Sequence, residues 1–241
     1  MRVVTWNMQG ATGGGESKWN ADVKRLFLQA GVNVACLQES GNPPPSAVPA
    51  AAPGWLPGFA PPVGLNGAYL LWNLGTSSRP FNVYIIWIET DATGHRNNVA
   101  VASVLPPLNL IYIPNPLGGR PAIGMRLLYG PAGNADIFSL HAFSGNGNDG
   151  PGLLANINLT GGSWFAAGDY NCDPTQWGLP GSGSPKIVPP GTAYCPHNPV
   201  PTHPGSGTNL DYAFKNPGPG VIGTVLDNFI VSDHYPVIYD F

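Results

Sequence analysis

The chain has 241 residues, a length that suits one α/β or all-β domain. Hydrophobic residues make up 43% and charged residues only 10%, well below the usual share of about a quarter, so a sizeable core is joined by uncharged loops rich in glycine (33) and proline (28). The net charge of −3 excludes a protein that holds nucleic acid by a basic field of its own, but not an enzyme whose bound metal neutralises a phosphate.

In chain order, Arg2–Asn7 reads as a short strand ending in polar residues. Glu16–Ala30 follows as a helix, with Trp19, Val23, Leu26, Phe27 and Ala30 at helical spacing and Gly31 as its stop signal. Asn33–Glu39 is a second buried strand; if the two strands are parallel, both end at the same rim. Residues 42–62 carry eight prolines in 21 positions and read as a long surface loop. Strands are then expected at Ala68–Asn73, Asn82–Glu89, Val99–Val104, Asn109–Ile113, Ala122–Tyr129 and, after a turn at Pro131–Asn134, Asp136–His141. A short helix at Gly152–Leu159 precedes the strand Trp164–Ala167, and residues 172–208 form another long loop. Short strands at Leu210–Phe214, Gly223–Leu226 and Val237–Tyr239 close the chain. Many strands and few helices, with no linker, imply one domain over 1–241 in which two sheets pack together with helices outside.

Cys36 lies in an apolar run and reads as a buried thiol, while Cys172 and Cys195 flank a Gly/Pro-rich stretch and are either a disulfide of a secreted protein or two free thiols. The chain enters its first strand directly after Met1-Arg2, with neither a signal-peptide core nor a transmembrane run, so the reading is a cytoplasmic protein or a secreted mature form whose leader has been removed.

The chemistry is concentrated at strand ends. Asn7, Glu39, His141, Asp169, Asn171, Asp211, Asp233 and His234 each fall at or beside the end of an apolar strand candidate, in a chain with only 13 acidic residues. Singly, each has a bland explanation as a turn former, a surface carboxylate or a satisfied buried histidine. Together they supply hard oxygen donors, neutral donors and two imidazoles. Carboxylates where a strand leaves the core need compensation, and a divalent cation such as magnesium, calcium or manganese provides it.

The stretches Trp6-Asn7, Gln38-Glu39, Ser139-Leu140-His141, Gly168-Asp169-Tyr170-Asn171, Leu210-Asp211-Tyr212 and Ser232-Asp233-His234-Tyr235-Pro236-Val237 resemble, in order, those of the endonuclease/exonuclease/phosphatase superfamily, to which deoxyribonuclease I belongs. Others are similar to the branch containing the B subunits of cytolethal distending toxins: Trp6-Asn7-Met8-Gln9-Gly10, Glu16-Ser17-Lys18-Trp19-Asn20, Trp72-Asn73-Leu74-Gly75-Thr76, Arg79-Pro80, Arg120-Pro121-Ala122-Ile123-Gly124-Met125-Arg126 and Pro201-Thr202-His203. The resemblance implies an α/β (α+β) fold, a four-layer α/β/β/α sandwich with two packed mixed β-sheets. It implies that Glu39 is the main metal ligand, with Asn7 and Asp233 nearby, and that the ion is Mg2+, with Ca2+ or Mn2+ as substitutes. By the same resemblance Asp169 and Asn171 orient or activate water and contact the phosphate, and His141 and His234 flank the scissile phosphate. Asp211 orients His234, and Arg120 holds a phosphate oxygen.

Two departures from the family pattern stand out. Tyr170 replaces the commoner phenylalanine, adding a hydroxyl. The glutamate that partners the first histidine in deoxyribonuclease I has no assigned counterpart, with Glu89 the only glutamate in the region. The resemblance makes the chain a DNA-cleaving toxin component that binds DNA weakly and without sequence preference, alongside delivery subunits and without a membrane span. A phosphoinositide phosphatase or sphingomyelinase-like phosphodiesterase uses the same ligands, and a non-catalytic binding module is the third alternative. The loop at 42–62, with Trp55 and Phe59, is either a docking surface for another subunit or a loop packed on its own aromatics.

Overall fold

A computed structural model describes residues 1–10, 18–129, 133–178, 184–229 and 232–241, so Glu16, Ser17 and the first half of the expected 131–134 turn lie outside it. Among the described residues there are sixteen strands, the longer ones on the expected apolar runs. They are β1 (Arg2–Asn7), β2 (Val34–Gln38), β3 (Val48–Pro49), β4 (Gly67–Asn73), β5 (Asn82–Ile88), β6 (Val99–Ser103), β7 (Pro107–Ile113), β8 (Ala122–Leu128) and β9 (Asn134–His141). The second half holds β10 (Ser163–Asp169), β11 (Trp177–Gly178), β12 (Lys186–Ile187), β13 (Ala193–Cys195), β14 (Asp211–Asn216), β15 (Gly223–Val225) and β16 (Val237–Asp240). The first expected helix opens as a π-helical turn, Trp19–Val23, and continues as α1, Lys24–Leu28; Gly31, in the left-handed region, ends it. The second helix, α2, spans Gly150–Asn158.

An eight-stranded sheet runs β15-β16-β1-β2-β6-β5-β4-β3, and a six-stranded sheet runs β13-β14-β10-β9-β8-β7. Parallel β1–β2 and β9–β10 pairs sit among antiparallel neighbours, so both sheets are mixed. Period-two patterning divides the apolar side chains between faces. Val3, Cys36, Val101, Ile123, Phe165 and Tyr239 enter the core between the sheets. Val4, Trp6 and Ala35 instead join Trp19, Leu26 and Phe27 beneath the first helix. Phe138, Leu140 and Trp164 pack with Leu153, Leu154 and Ile157 of α2. The order is helix, sheet, sheet, helix, the four-layer sandwich that the sequence resemblance implies.

Three expectations change. The region 172–208 is not all loop, because β11 and β12 pair with each other and β13 joins the edge of the second sheet. Cys172 and Cys195 are free: Cys195 faces the core between the sheets and Cys172 the outer core with α2, so the second sheet separates their side chains. In the proline-rich loop, β3 adds to the sheet edge, Trp55 and Phe59 pack partly buried against the cores, and Leu56 is buried. Those aromatics are inward packing, not an exposed docking surface.

Candidate active site

The rim where β1, β2, β9 and β10 end and β14 begins collects the predicted residues from both sheets. Because β1 and β2 are parallel, Asn7 and Gln38 end in register and Glu39 follows directly. Because β9 and β10 are parallel, His141 and Asp169 are paired positions, and antiparallel β14 places Asp211 opposite Asp169. Asp233 and His234 lie in the approach to β16.

Two close backbone approaches sharpen the rim. A Cβ on Gly10 would meet the Glu39 carbonyl oxygen at 2.3 Å, and one on Gly168 would meet the Leu140 carbonyl at 2.0 Å. Glu39 (φ 45°) and Asn171 (φ 51°) adopt the left-handed region, strain of order 1–3 kcal/mol each that gathers where side chains must be aimed.

Asp169 sits at the centre. Its Oδ2 accepts the Asn7 amide at 3.0 Å and lies 3.6 Å from His141 Nε2 and 4.0 Å from His234 Nε2, while Oδ1 accepts the Asn171 N–H at 2.8 Å. Burial, then the charge of Asp211, raises its pKa against the opposing pull of His234, Asn7 and Asn171. The two imidazoles diverge. Burial first, then the charges of Arg120, His234 and Arg96, holds His141 well below its ordinary value, so it is neutral at neutral pH. Burial also disfavours charge on His234, but Asp211, bonded to Nδ1 at 2.6 Å, with Asp169 and Asp233, outweighs it and raises the pKa to about 9. One neutral ring and one imidazolium therefore face a single carboxylate.

His141 Nδ1 is buried without a hydrogen-bond partner among the described residues. Glu89 is not that partner, since its oxygens take Asn66 at 2.7 Å and His95 at 2.9 Å. Arg120 spends Nε on the His141 carbonyl (3.1 Å) and Nη2 on that of Ala142 (2.7 Å), and Asn171 Nδ2 also donates to Ala142 (3.0 Å). Both thus fix the chain leaving β9. An open cavity of about 590 Å³ adjoins Arg120, lined by Asn66, Glu89, Tyr112 and Phe143 among others.

The three expected metal ligands are neighbours rather than one cluster. Asn7 Nδ2 is 3.5 Å from Glu39 Oε1, whereas Asp233 connects through Gln9, whose side chain reaches it at 3.0 Å and whose N–H meets Asn7 Oδ1 at 3.1 Å. Asn7 thus turns its donor nitrogen toward the Glu39 and Asp169 carboxylates, and a ligand role for it requires the amide turned over. Among the described residues, the groups close enough to share an ion are Asp169/Asp211/His234 and His203/Asp233/His234. Sequence reasoning did not single out Arg96, and it named Gln9 and His203 only within resembling stretches, with no role. Arg96 Nε reaches Glu39 Oε2 at 2.7 Å from a loop whose Asp, Thr, Gly and Asn residues signal a turn but not its destination.

The chain belongs to a known class: residues 4–234 match the endonuclease/exonuclease/phosphatase family. More particularly, it is 32% identical to the cytolethal distending toxin B subunit of Escherichia coli over 262 aligned positions, covering 98% of this chain and 90% of that protein. A homolog of that B subunit from Salmonella typhi is also 32% identical, over 99% of this chain and 88% of its own length. The crystal structure of the cytolethal distending toxin from Actinobacillus actinomycetemcomitans contains a chain that superposes with a TM-score of 0.82 at 30% identity, covering 99% of this chain and 97% of that one.

Proposed function

We propose that this chain is a metal-dependent endonuclease that hydrolyses DNA phosphodiester bonds, the catalytic component of a toxin delivered with partner subunits. The observation that carries the reading is the pair of imidazoles converging on Asp169, with His141 Nε2 at 3.6 Å and His234 Nε2 at 4.0 Å from its Oδ2.

Asp169, its pKa raised by burial, accepts a proton from the attacking water better than an ordinary carboxylate does. The His234 imidazolium, held by Asp211, stabilises charge developing on the phosphate and supplies a proton to the leaving oxygen. Neutral His141 orients a phosphate oxygen by hydrogen bonding, and Asn7 holds Asp169 in place. Arg120 and Asn171 set the position of His141 through the backbone, and the cavity beside Arg120 gives room for the group flanking the phosphate.

Glu39 and Asp233 offer carboxylate oxygens that suit a hard divalent ion, and Asn7 would join them only by turning its amide over and giving up its bond to Asp169. Magnesium suits such donors, with calcium or manganese as substitutes. A bound ion supplies charge neutralisation for the phosphate. No helix among the described residues is long and apolar enough to cross a membrane; that the chain is secreted and acts inside a target cell is proposed from its likeness to toxin B subunits.

The test is nicking of supercoiled plasmid with magnesium, with Glu39→Ala, His141→Ala and His234→Ala beside it. Each histidine change should slow nicking by roughly 10²–10⁴-fold. If wild type nicks no faster than His234→Ala, and instead releases phosphate from phosphoinositides, the substrate is a phospholipid and the nuclease reading falls.

A further inference from the structure

His203 takes no part in the reaction above, yet its ring lies 4.7 Å from that of His234, nearly edge to face. A ring nitrogen from each histidine and a carboxylate oxygen of Asp233 lie within 4.8 Å of one another. Both histidines are aimed by outer partners. Ser206 Oγ is 2.6 Å from His203 Nδ1, and Asp211 Oδ2 is 2.6 Å from His234 Nδ1. An imidazole fixed through one nitrogen by a hydroxyl or carboxylate, with the other left free, is how proteins orient histidines toward a metal.

The scaffold of this triad is also built. Thr202 Oγ1 accepts the N–H groups of Leu210 (2.9 Å) and Asp211 (3.0 Å), and its carbonyl accepts that of Tyr235 at 2.7 Å. The residue before His203 is therefore clamped to both segments that carry the other partners. Asp233 is exposed, which leaves a solvent side for entry and for a further ligand.

Two imidazoles and one carboxylate form a borderline-soft set that favours zinc over magnesium, and three protein ligands with an open position is a familiar zinc arrangement. Its chemistry differs from the all-oxygen donors at Glu39, with which it would share Asp233. We propose that His203, Asp233 and His234 form a second metal site for an ion of the zinc class, and that filling it stops phosphodiester cleavage. The free nitrogen of His234 is the one facing Asp169, at 4.0 Å, so a metal that takes it removes that ring from the reaction. The inhibitory consequence rests on the nuclease reading; the binding site does not.

Cobalt, a spectroscopic stand-in for zinc, tests the two parts separately. Titrated into the chelator-stripped full chain, cobalt should give the visible bands of a low-coordinate site in wild type and in Glu39→Ala, bleached by zinc. His203→Ala should bind at least tenfold more weakly, and Ser206→Ala about tenfold more weakly, as expected for lost outer support. Zinc should inhibit magnesium-driven nicking by wild type, and His203→Ala should need at least tenfold more zinc, each protein compared with its own zinc-free rate. Absence of cobalt bands in wild type, or unchanged affinity in His203→Ala, overturns the site. Should His203→Ala fail to fold by circular dichroism, unchanged affinity in Ser206→Ala overturns it instead. Cobalt binding without any nicking in magnesium keeps the site and sinks the nuclease reading.

Discussion

Asp211 is fully buried, with Oδ2 against His234 and Oδ1 lacking a hydrogen-bond partner among the described residues. A half-satisfied buried carboxylate is costly unless a positive charge faces it, so the pair should behave as one carboxylate–imidazolium unit. Because the folded pKa of His234 is raised to about 9 from an ordinary 6.5, the pair's contribution to stability is complete below pH 6.5 and is lost as pH rises through about 9. The melting temperature of metal-free protein should therefore decline from neutral pH toward pH 9–10, more steeply than in Asp211→Asn. In that variant His234, followed by NMR, should titrate below about 9, and nicking should drop by roughly 10²–10⁴-fold. A wild-type titration at the ordinary value would remove the basis of the pairing. The partnership was visible in the sequence only through family resemblance, since 23 residues separate the two groups. His141 shows the limit of such reading: Glu89 had the right chemistry and region, but its position beside Asn66 and His95 commits it elsewhere.

Elements with near-continuous apolar runs bounded by polar residues, such as β1, β5 and β10, were legible to within one or two residues, because both of their faces are buried. Short strands such as β3 and β11–β13 were not, because two or three residues among prolines and glycines carry no period; tertiary pairing alone makes them strands. The loop between β5 and β6 was opaque for the same reason, yet it is highly organised. Asp91 Oδ1 accepts the Gly94 N–H at 2.8 Å, and Oδ2 accepts the Asn97 side chain at 3.2 Å and the Arg96 and Asn97 N–H groups at 3.4 Å. The buried Asn98 closes the loop from beneath, accepting from Thr90 and donating to Gly41 and His95. The same loop carries Arg96, whose Nε donates to Glu39 Oε2 at 2.7 Å. Asp91→Ala should loosen it: amides of residues 93–97 should exchange hydrogen faster, and kcat/KM for nicking should fall about tenfold with little change in melting temperature. Unchanged exchange would show that Asn98 alone suffices.

Across the whole molecule the site is a seam. Asn7 and Glu39 come from one sheet, and His141, Asp169 and Asp211 from the other. Beneath them, Gln38 Nε2 donates to Ser139 Oγ at 2.9 Å, and that hydroxyl donates to the Leu37 carbonyl at 3.2 Å, a buried polar tie between the sheets. Periodicity gave two sheets but could not say which edges face; only the order of the polar motifs, by resemblance, placed these ends at one rim. The charge of the whole, by contrast, was readable from composition, and it makes a quantitative demand. With 10 lysines and arginines against 13 acids, affinity for DNA depends on the few cations near the rim. Arg96 is paired with Glu39, and Arg120 has two donors on carbonyls, so phosphate contacts by cationic side chains should number about two. Each neutralised phosphate contributes about −0.9 to the slope of log affinity against log salt. Binding of His234→Ala protein to a duplex oligonucleotide, at fixed metal, should therefore show a slope near −2 and weaken only about 10–20-fold between 50 and 200 mM salt. A slope of about −6 or steeper would require a basic track that this surface does not supply, and would place the grip on DNA in a partner protein or on another face.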